Sequence, residues 1–451
     1  MREIFQISKS GLMAAERAIS TTGHNIANAN TPGYSRQRVD LAPVDFKRNN
    51  MSIGVGVNIE QITRMRNEFL DSQINEMQSR LGSFSQRAQT LEYIEGLFVS
   101  NTGNDLVQAM TEFFNSFSEL TNSPEDFTRR VNIVRNAQNM ILKFQQIGSG
   151  LQEIQQQAAN KAKDGINEVN TILKDLASLN NSIYRANGAG KQDNKSLDDQ
   201  TRLLDRLSKL VAVDTQRDEN GGLEVKIGGI IAVSGERSAT LSGESDTVNN
   251  IFRVRLDNGS VIPFKGGEVG ENIALFEDGI ASYQEDLDEL ANSLMQSVNQ
   301  LHTSGFDRNG NTGIAFFDPD SSGARGLSLN ALIEENADRI VASAQPNAPG
   351  NNSIAAQIAQ LASQSPNSSQ SLTDRTINLS ARAGAELSNV RQAIETTESA
   401  KILLTNQQEQ VSGVNMDEEL TNLIKFQNSY QASARVLNSA QQMYDTLLSI
   451  V

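Results

Sequence analysis

The polar residues around position 310 come nearest to the spacing of a metal site in this sequence. Asp307, Asn309 and Asn311 occupy the first three ligand positions of an EF-hand calcium loop, and Asp318 occupies the twelfth. Two features of that loop are missing. Thr312 stands where the sharp turn needs glycine, and aspartate at the twelfth position is too short for the usual bidentate glutamate. A polar turn is therefore the preferred interpretation, and we expect no metal.

The sequence contains few residues of the types that commonly form catalytic or metal sites. The chain contains two histidines, His24 and His302, and no cysteine, which excludes thiolate metal sites and a disulfide framework. His302 stands at the end of an apolar helical pattern beside Gly305, so a capping or packing role is the better interpretation. The glycines at 221, 228, 266 and 270 lack the Lys-Ser/Thr ending of a phosphate-binding loop. We expect neither an enzyme nor a cofactor.

Composition and charge narrow the class of partner. The 451 residues suffice for several domains, yet only 38% are hydrophobic, 5% are aromatic and Trp is absent, which suits long thin helical layers. A net charge of −15 disfavours nucleic acid and anionic membrane surfaces, because both would repel the chain. The N-terminal residues are amphipathic, with no signal-peptide core and no membrane span. The expected partners are proteins.

An apolar stripe at the C-terminus is the element best suited to contact such partners. It begins after Ser412-Gly413, with Asn415 as the predicted N-cap and Glu418 at the third helical position. Its heptad spacing continues to the last residue. The stripe consists of Met416, Leu420, Leu423, Gln427, Tyr430, Ala434, Leu437, Gln441, Tyr444, Leu448 and Val451. Burial against the N-terminus, burial against another subunit, and ordinary intramolecular packing all remain open.

A second stripe lies at the N-terminus, and the two ends look paired. It consists of Phe5, Ser8, Leu12, Ala15, Ile19, Thr22, Ile26 and Ala29. The helix ends in a turn in which Pro32 and Gly33 suit the two central positions of type II. Residues 36–44 and 54–59 then read as short extended segments.

Long helices separated by a β-rich insertion fill the middle of the chain. Three-four spacing predicts helices from Leu70 to Phe98 and from Phe127 to Ile183, the second capped by Ser123 with Pro124 at its first position. Period-two alternation then predicts hairpins through 223–256, before helical spacing returns at Ile273. The predicted fold is mainly α, with long coiled-coil-like helices from both termini forming a stem and an outward-projecting β-rich domain.

This pattern predicts a division into domains. Residues 1–60 form the N-terminal helix and turn, paired with the C-terminal helix of residues 412–451. Residues 61–195 and 273–411 form the long-helix stem, with a loop-rich segment at 303–350. Residues 196–272 form the β-rich outer insertion.

Three separated motifs resemble those of bacterial flagellar proteins. The first is shared by rod, hook and hook-associated proteins and contains Asn25-Ile26-Ala27-Asn28 and the turn Asn30, Thr31, Pro32, Gly33, Tyr34. The other two are similar to the middle and the end of one family among them, the first hook-filament junction proteins (FlgK). They contain Leu287-Asp288-Glu289-Leu290-Ala291, Val298-Asn299-Gln300-Leu301-His302, Ser412-Gly413-Val414-Asn415-Met416-Asp417-Glu418-Glu419 and Tyr430-Gln431-Ala432-Ser433-Ala434-Arg435-Val436.

The resemblance implies a structural subunit that joins the flagellar hook to the filament and assembles through its terminal helices into a tubular ring layer. It implies contacts with the flagellar hook protein and with the second hook-filament junction protein (FlgL). It also implies passage through the flagellar type III export apparatus by an uncleaved signal, with an export chaperone on the C-terminal region, and an extracellular location. From the two stripes we expect the subunit interface to include Leu12, Ile19, Ile26, Leu420, Leu423, Tyr430, Leu437, Tyr444 and Leu448.

A different class of function stays open beside this one. An independently acting secreted surface protein, such as an adhesin or a hydrolase, would use the central insertion as its active part. A large apolar cleft with convergent titratable groups in the insertion would favour that alternative. The sequence offers no such cluster.

Overall fold

The computed structural model describes residues 2–31, 33–48, 51–99, 105–219, 221–348, 350–364 and 370–450. Pro32 and the last stripe residue, Val451, lie outside these ranges. The helices are α1 (Arg2–Asn28), α2 (Glu68–Phe98), α3 (Leu106–Asn122), α4 (Phe127–Gly188), α5 (Asn194–Leu210), α6 (Gly267–Ala274), α7 (Ile280–Ser304), α8 (Gly323–Gly326), α9 (Ala331–Glu335), α10 (Ser353–Gln360), α11 (Leu372–Ser412) and α12 (Met416–Ile450). The predicted mainly-α fold with a central β region is confirmed.

The strands form three small antiparallel sheets. They are β1 (Gln37–Arg48) with β2 (Met51–Arg64), then β3 (Val213–Arg217), β4 (Leu223–Ile227), β5 (Ile230–Ser234) and β6 (Arg237–Ser238), then β7 (Leu241–Asp246), β8 (Ile251–Leu256) and β9 (Val261–Ile262). The period-two pattern is confirmed in β4 and β8, where alternate residues are buried. Both central sheets are tied to α4 by asparagine side chains. Asn170 bonds the backbone of Leu241, and Asn180 bonds that of Leu223.

The long helix α4 starts later than its sequence suggests. Its N-cap is Asp126, whose carboxylate accepts from the Thr128 backbone N–H at 2.8 Å. The expectation of Ser123 as cap and Pro124 as first helical residue is wrong. Residues 123–126 instead close a turn, in which the Asp126 N–H donates to the Ser123 carbonyl at 3.1 Å.

The buried face at the start of α4 also differs from the predicted stripe. Phe127 and Val131 are 50% and 43% exposed, whereas Arg130 and Ile133 are buried. The Arg130 guanidinium donates to the backbone carbonyls of Pro124 and Ile340 and holds this face against the segment around 340. The spacing of apolar residues does not predict a buried arginine. Burial of an arginine depends on hydrogen-bond acceptors for its guanidinium, and these lie elsewhere in the chain.

Within the stem, α2 and α11 pack against each other in antiparallel orientation along most of their length. Gln408 near the end of α11 donates to Asp71 near the start of α2 at 3.1 Å, and Arg391 bonds Glu92 further along at 2.6 Å. The helix α11 starts with a capping box between Ser371 and Asp374. The end of α11 and the beginning of α2 therefore lie together, which brings the two terminal segments of the chain to the same end of this helix pair.

The hairpin β1–β2 is longer than the short extended segments expected, because its pairing runs from Gln37–Arg64 to Arg48–Met51. It folds back along α1, where the Val57 N–H donates to the Ser10 hydroxyl at 3.2 Å. Gly56 has φ +141°, and a Cβ there would lie 2.3 Å from the Ser10 oxygen. A glycine is therefore required at the closest approach of hairpin and helix.

Candidate assembly interface

The two terminal helices pack against each other in antiparallel orientation. Contacts run the length of the pair: Phe5 meets Tyr444 with ring centroids 6.4 Å apart, and Asn25 meets Glu419 at 3.0 Å. Between them Gly11 lies against Ser433, where a Cβ on the glycine would stand 2.8 Å from the serine oxygen. Apart from Asn25, the buried side chains of α1 are small. They are Ser8, Ala14, Ala15, Ala18, Thr21 and Thr22.

A buried amide joins the N-terminal motif to α12. The Asn25 Nδ2 donates to the Gln37 carbonyl at 2.9 Å and to Glu419 Oε2 at 3.0 Å. Its Oδ1 accepts from the Tyr34 hydroxyl at 2.8 Å and from the Gln37 N–H at 2.9 Å. Both N–H donors and both acceptor positions of the Asn25 amide are therefore hydrogen-bonded. The amide fixes the helix, the turn after it and the first strand in one geometry.

The turn between α1 and β1 aims Tyr34 at this amide. Gly33 has φ +78°, and the Tyr34 N–H donates to the Thr31 carbonyl at 3.1 Å, so the predicted need for glycine in the turn is confirmed. Asn30 is exposed beside it. Burial, together with the negative charges of Asp198 and Glu419, raises the pKa of Tyr34 to about 12. The hydroxyl therefore stays protonated and acts as the donor.

Arg36 carries the charge that balances Glu419. Its Nε lies 2.8 Å from Glu419 Oε1, and its terminal nitrogens hold the Glu418 carboxylate at 2.7 and 3.2 Å. The Glu419 side chain is only 2% exposed, whereas that of Glu418 is 54% exposed. The Arg36 N–H also donates to the Ser412 carbonyl at 2.9 Å. Arg36 therefore connects the start of β1 to both sides of the α11–α12 junction.

The first turn of α12 is built to receive this cation. Asn415 accepts from the backbone N–H groups of Asp417 and Glu418 at 3.0 and 3.3 Å, which confirms the predicted N-cap. Three consecutive carboxylates, Asp417 to Glu419, then lie at the positive end of the helix dipole. The same first turn thus stabilises the helix and anchors it to Arg36.

A second set of polar contacts links the hairpin β1–β2 to α5 in the central part of the chain. Arg64 and Asp198 form an ion pair at 2.7 Å, and Arg64 also donates to the Thr201 hydroxyl at 2.8 Å. Asn194 at the start of α5 donates to the Ile62 carbonyl at 3.1 Å. Burial lowers the pKa of Arg64 to about 10 and raises that of Asp198, although each partner's charge opposes the shift.

The predicted interface residues divide between two environments. The half-buried ones are Leu12, Ile19, Ile26, Leu423 and Leu437, and the exposed ones are Leu420, Tyr430, Tyr444 and Leu448. The face of α12 that meets α1 is rotated from the predicted stripe, because it carries Glu419, Ser433 and the buried Ala440. Pairing with α1 therefore leaves much of the stripe uncovered.

Sequence reasoning missed the polar groups that connect the ends. A stripe counts apolar residues, so it does not select Asn25, Arg36 or Glu419. The motifs shared with flagellar proteins could have pointed to two of these polar residues, because Asn25 lies in the N-terminal motif and Glu419 in the C-terminal one.

The positions weighed for chemistry have structural roles in the fold. Asp307 accepts from the N–H groups of Asn309 and Asn311 at 2.8 and 2.7 Å, and so closes a polar turn. His302 is fully buried, with Nδ1 2.7 Å from the Ile314 carbonyl and Nε2 accepting from the Val341 N–H at 2.9 Å. Burial lowers its pKa to about 4, so the ring is neutral. The described residues contain no group of three or more His, Asp or Glu placed to hold a metal.

A cleft of about 470 Å³ lies between α2, α5 and β3. Its charged lining includes ion pairs at 2.7 Å between Arg66 and Asp71 and between Arg217 and Glu68. Histidine is absent from the described residues that line it. Four of the charged residues that line the cleft are therefore engaged in ion pairs with each other. Across the described ranges, no helix is long and apolar enough to cross a membrane.

Family models match three parts of the chain. Residues 91–317 match the model described as "Flagellar hook-associated protein FlgK helical domain". Residues 5–34 match "Flagella basal body rod protein", and residues 407–450 match "Flagellar basal body rod FlgEFG protein C-terminal". Both rod-type matches fall on the paired terminal helices.

Individual proteins are similar over the whole length. Flagellar hook-associated protein 1 of Bacillus subtilis (strain 168) is 26% identical over 98% of this chain and 97% of its own. Its counterpart in Escherichia coli (strain K12) is 23% identical over both chains in full. The solved flagellar hook junction protein FlgK from Burkholderia pseudomallei superposes with a TM-score of 0.66 at 14% identity, covering 76% of this chain and all of its own, so it shows a shared fold. The chain belongs to the FlgK family of flagellar hook-associated proteins and is a structural protein of the bacterial flagellum.

Proposed function

We propose that this structural subunit joins hook to filament by packing its paired terminal helices against neighbouring subunits in a tubular layer. The observation that carries the proposal is the apolar surface left on α12 after it pairs with α1. The large side chains there are 41–61% exposed. They are Met416, Leu420, Ile424, Tyr430, Val436, Met443, Tyr444, Leu447 and Leu448. So many large apolar side chains exposed on one helix mark a contact with another molecule.

The positions of the three family matches support a role for the terminal helices in assembly. The models that match residues 5–34 and 407–450 describe rod proteins, whereas the model for 91–317 is specific to FlgK. We therefore assign the general assembly contacts to residues 1–60 and 412–451. In this proposal the β-rich region of 196–272 projects outward from the stem of 61–195 and 273–411, and these parts carry what is particular to the junction.

The partners follow from the same family. The proposed neighbours are further copies of this chain, the flagellar hook protein on one side and the second junction protein, FlgL, on the other. The proposed route to this extracellular site is the flagellar type III export apparatus, with an export chaperone bound to the C-terminal region. The net charge of −15 favours such protein contacts over nucleic acid or an anionic membrane.

A secreted adhesin or hydrolase is not favoured. Four charged residues of the cleft beside β3 are engaged in ion pairs, and the full-length relatives carry flagellar names. The proposed role is structural, without catalysis.

A pair of matched substitutions tests the proposal in cells. Leu448 is 61% exposed on α12, and Asn438 is an exposed polar residue of the same helix. Leu448→Asp places a charge in the proposed contact, where it must be desolvated without a partner, while Asn438→Asp adds the same charge to a polar surface. We expect Leu448→Asp to lower the amount of this protein in purified flagella at least tenfold and to leave the melting temperature of the isolated chain unchanged. Normal incorporation of Leu448→Asp, or equal loss with Asn438→Asp, would refute the proposed interface.

A further inference from the structure

The segment that follows α7 folds back along that helix and is held there through its backbone. We call residues 306–343 the strap. The Asn299 side chain binds both backbone groups of Phe317: its Oδ1 accepts from the N–H at 2.8 Å, and its Nδ2 donates to the carbonyl at 3.1 Å. Further back on α7, Asp288 accepts from the Ala324 N–H at 2.7 Å. The strap therefore runs antiparallel to α7, and side chains of that helix hold it.

A single peptide group near the end of the strap is held from both sides. Its N–H, from Val341, donates to His302 Nε2 at 2.9 Å. Its carbonyl, from Ile340, accepts from the Arg130 guanidinium of α4. The other ring nitrogen of His302, Nδ1, lies 2.7 Å from the Ile314 carbonyl near the start of the strap. Because one ring nitrogen accepts and the other donates, this pair of bonds requires the neutral imidazole.

Protonation of His302 is incompatible with this arrangement. A proton on Nε2 replaces the acceptor with a donor that faces the Val341 N–H. The ring, which is fully buried, then carries a positive charge beside Arg130. Asp307 is the acidic group that faces the ring, but its carboxylate already accepts three hydrogen bonds in its own turn. A buried cation without a partner is costly, so the strap must open to hydrate it.

The other charged groups around this site do not compensate such a cation. Arg308 and Asp338 lie near Arg130 and pair with each other at 3.2 Å. The arginine of α8, Arg325, bonds a glutamine of α4, and α10 contains no charged residue. The arginines of α11 that bond α7 do so at least about two turns before His302. They are Arg375 and Arg382, bonded to Ser293 and Asp286.

The strap covers an aromatic face of α3. The Phe316 ring centroid lies 5.7 Å from those of both Phe113 and Phe117, and all three side chains are fully buried. His302 packs on the same cluster, with its ring centroid 5.4 Å from that of Phe316. Opening of the strap therefore exposes phenylalanine side chains that are buried in the closed fold.

We infer that the strap is an acid-sensitive switch: protonation of His302 releases residues 306–343 as a local unit and uncovers the aromatic face of α3. The release is local because the bonds that hold the strap run from side chains to backbone, whereas α7 also contributes an apolar face to the core. That face consists of Leu287, Leu290, Leu294 and Val298, which are buried. The inference goes beyond the proposed function and does not depend on it.

The pH range of the switch follows from the burial of the ring. Burial lowers the pKa of His302 to about 4, whereas the ordinary value, expected when the strap is open, is 6.5. The open form therefore binds the proton more tightly, and the equilibrium moves towards opening as the pH falls from 6.5 to 4. Between pH 7 and about 4.5, these values correspond to an increase of about fiftyfold in the opening equilibrium.

Hydrogen exchange of the full chain at these two pH values tests the switch. After correction for the pH dependence of intrinsic exchange, we expect the protection of strap amides to fall at least about tenfold from pH 7 to pH ~4.5, while α4 amides keep theirs. His302→Gln removes the titrating group, and its strap should lose less than about threefold over the same range. His24→Gln, at an exposed site, should behave like the wild type.

Two further measurements separate the holding of the strap from the titration. Asn299→Ala removes the bonds to Phe317 without changing a titratable group, so the strap should open more at both pH values while the ratio between them stays that of the wild type. Because the chain has only two histidines, selective isotope labelling lets NMR follow the His302 ring directly. We expect this ring to remain neutral down to about pH 5.

Several results would overturn the inference. They are strap protection that does not change with pH, a pH dependence that persists in His302→Gln, and loss of α4 protection together with that of the strap. A His302 ring that becomes protonated while strap amides keep their protection also overturns it. This last measurement uses the wild type, so it decides the case even if His302→Gln opens the strap at pH 7.

Discussion

The Asn25 side-chain amide lies 3.0 Å from the Glu419 carboxylate, although 394 residues separate them in the chain. The contact is buried, and each partner is held by a second group: Asn25 by Tyr34 and Glu419 by Arg36. The N-terminal motif and the first turn of α12 therefore form one polar joint. Because the other buried residues of α1 are small, this joint supplies much of the specificity with which the two ends pair.

Loss of the Asn25 amide should loosen the terminal helices without unfolding the stem. Asn25→Ala leaves the Tyr34 hydroxyl, the Gln37 backbone and Glu419 each short of a partner, at about 1–3 kcal/mol per buried group. We expect hydrogen exchange in α1 to accelerate at least tenfold, while α4 stays protected. Asn28→Ala is the control, because the Asn28 amide nitrogen donates to the His24 carbonyl within its own helix. Equal protection of α1 in both variants would contradict the joint.

The two glutamates that Arg36 contacts should differ greatly in their effect. Removing one partner of a buried ion pair costs about 3–5 kcal/mol, whereas an exposed pair contributes about 0–1 kcal/mol. Glu419→Ala should therefore weaken the packing of α12 on α1 far more than Glu418→Ala, since only Glu419 is buried. Exchange rates of α12 amides in the two variants measure this difference. A larger effect of Glu418→Ala would show that burial does not govern the pair.

Gly56 should be intolerant of a side chain, and Gly54 offers a matched control two residues away. Gly56→Ala forces a Cβ into φ +141° and to 2.3 Å from the Ser10 oxygen, whereas a Cβ at Gly54 meets its nearest atom at 3.8 Å. We expect Gly56→Ala to destabilise the packing of the hairpin on α1 by about 1–3 kcal/mol. The rate of limited proteolysis in the hairpin measures this loss of packing. Cleavage no faster than in Gly54→Ala would rule out this close approach.

The neutral state of His302 should make the fold sensitive to mild acid. Its folded pKa of about 4 lies below the ordinary value of 6.5, so the unfolded chain binds the proton more tightly. This contribution is fully present above pH 6.5 and is lost as the pH falls towards 4, up to about 3 kcal/mol in all. Thermal melting between pH 7 and 5 should show a steeper decline for the wild type than for His302→Gln. His24→Gln, at an exposed site, should decline like the wild type.

Calcium should leave the protein's stability unchanged. Both carboxylate oxygens of Asp307 already accept hydrogen bonds, from the backbone of Asn309 and from the backbone and side chain of Asn311. A site that did bind calcium would add about 2.7 kcal/mol at a hundredfold excess over its Kd. Differential scanning calorimetry with and without a chelator measures this. A melting temperature that rises clearly with calcium would overturn the assignment of a polar turn.

Local spacing determined most of the elements of this protein. The three-four stripes predict the long helices, the alternation of apolar residues predicts β4 and β8, and Asn415 and Gly33 mark a helix start and a turn. These rules work because the interactions behind them, a cap, a turn hydrogen bond or a repeating apolar face, involve residues close together in the chain.

Only the tertiary structure decided which face of each element is buried. It selected Arg130 over Phe127 for the core of α4, and Glu419 over Glu418 for the joint. It also rotated α12 so that Ala440 meets α1 while Leu420 and Leu447 stay exposed. Burial depends on the partner that a side chain meets, and these partners stand up to 394 residues away, where no spacing rule along the chain can find them.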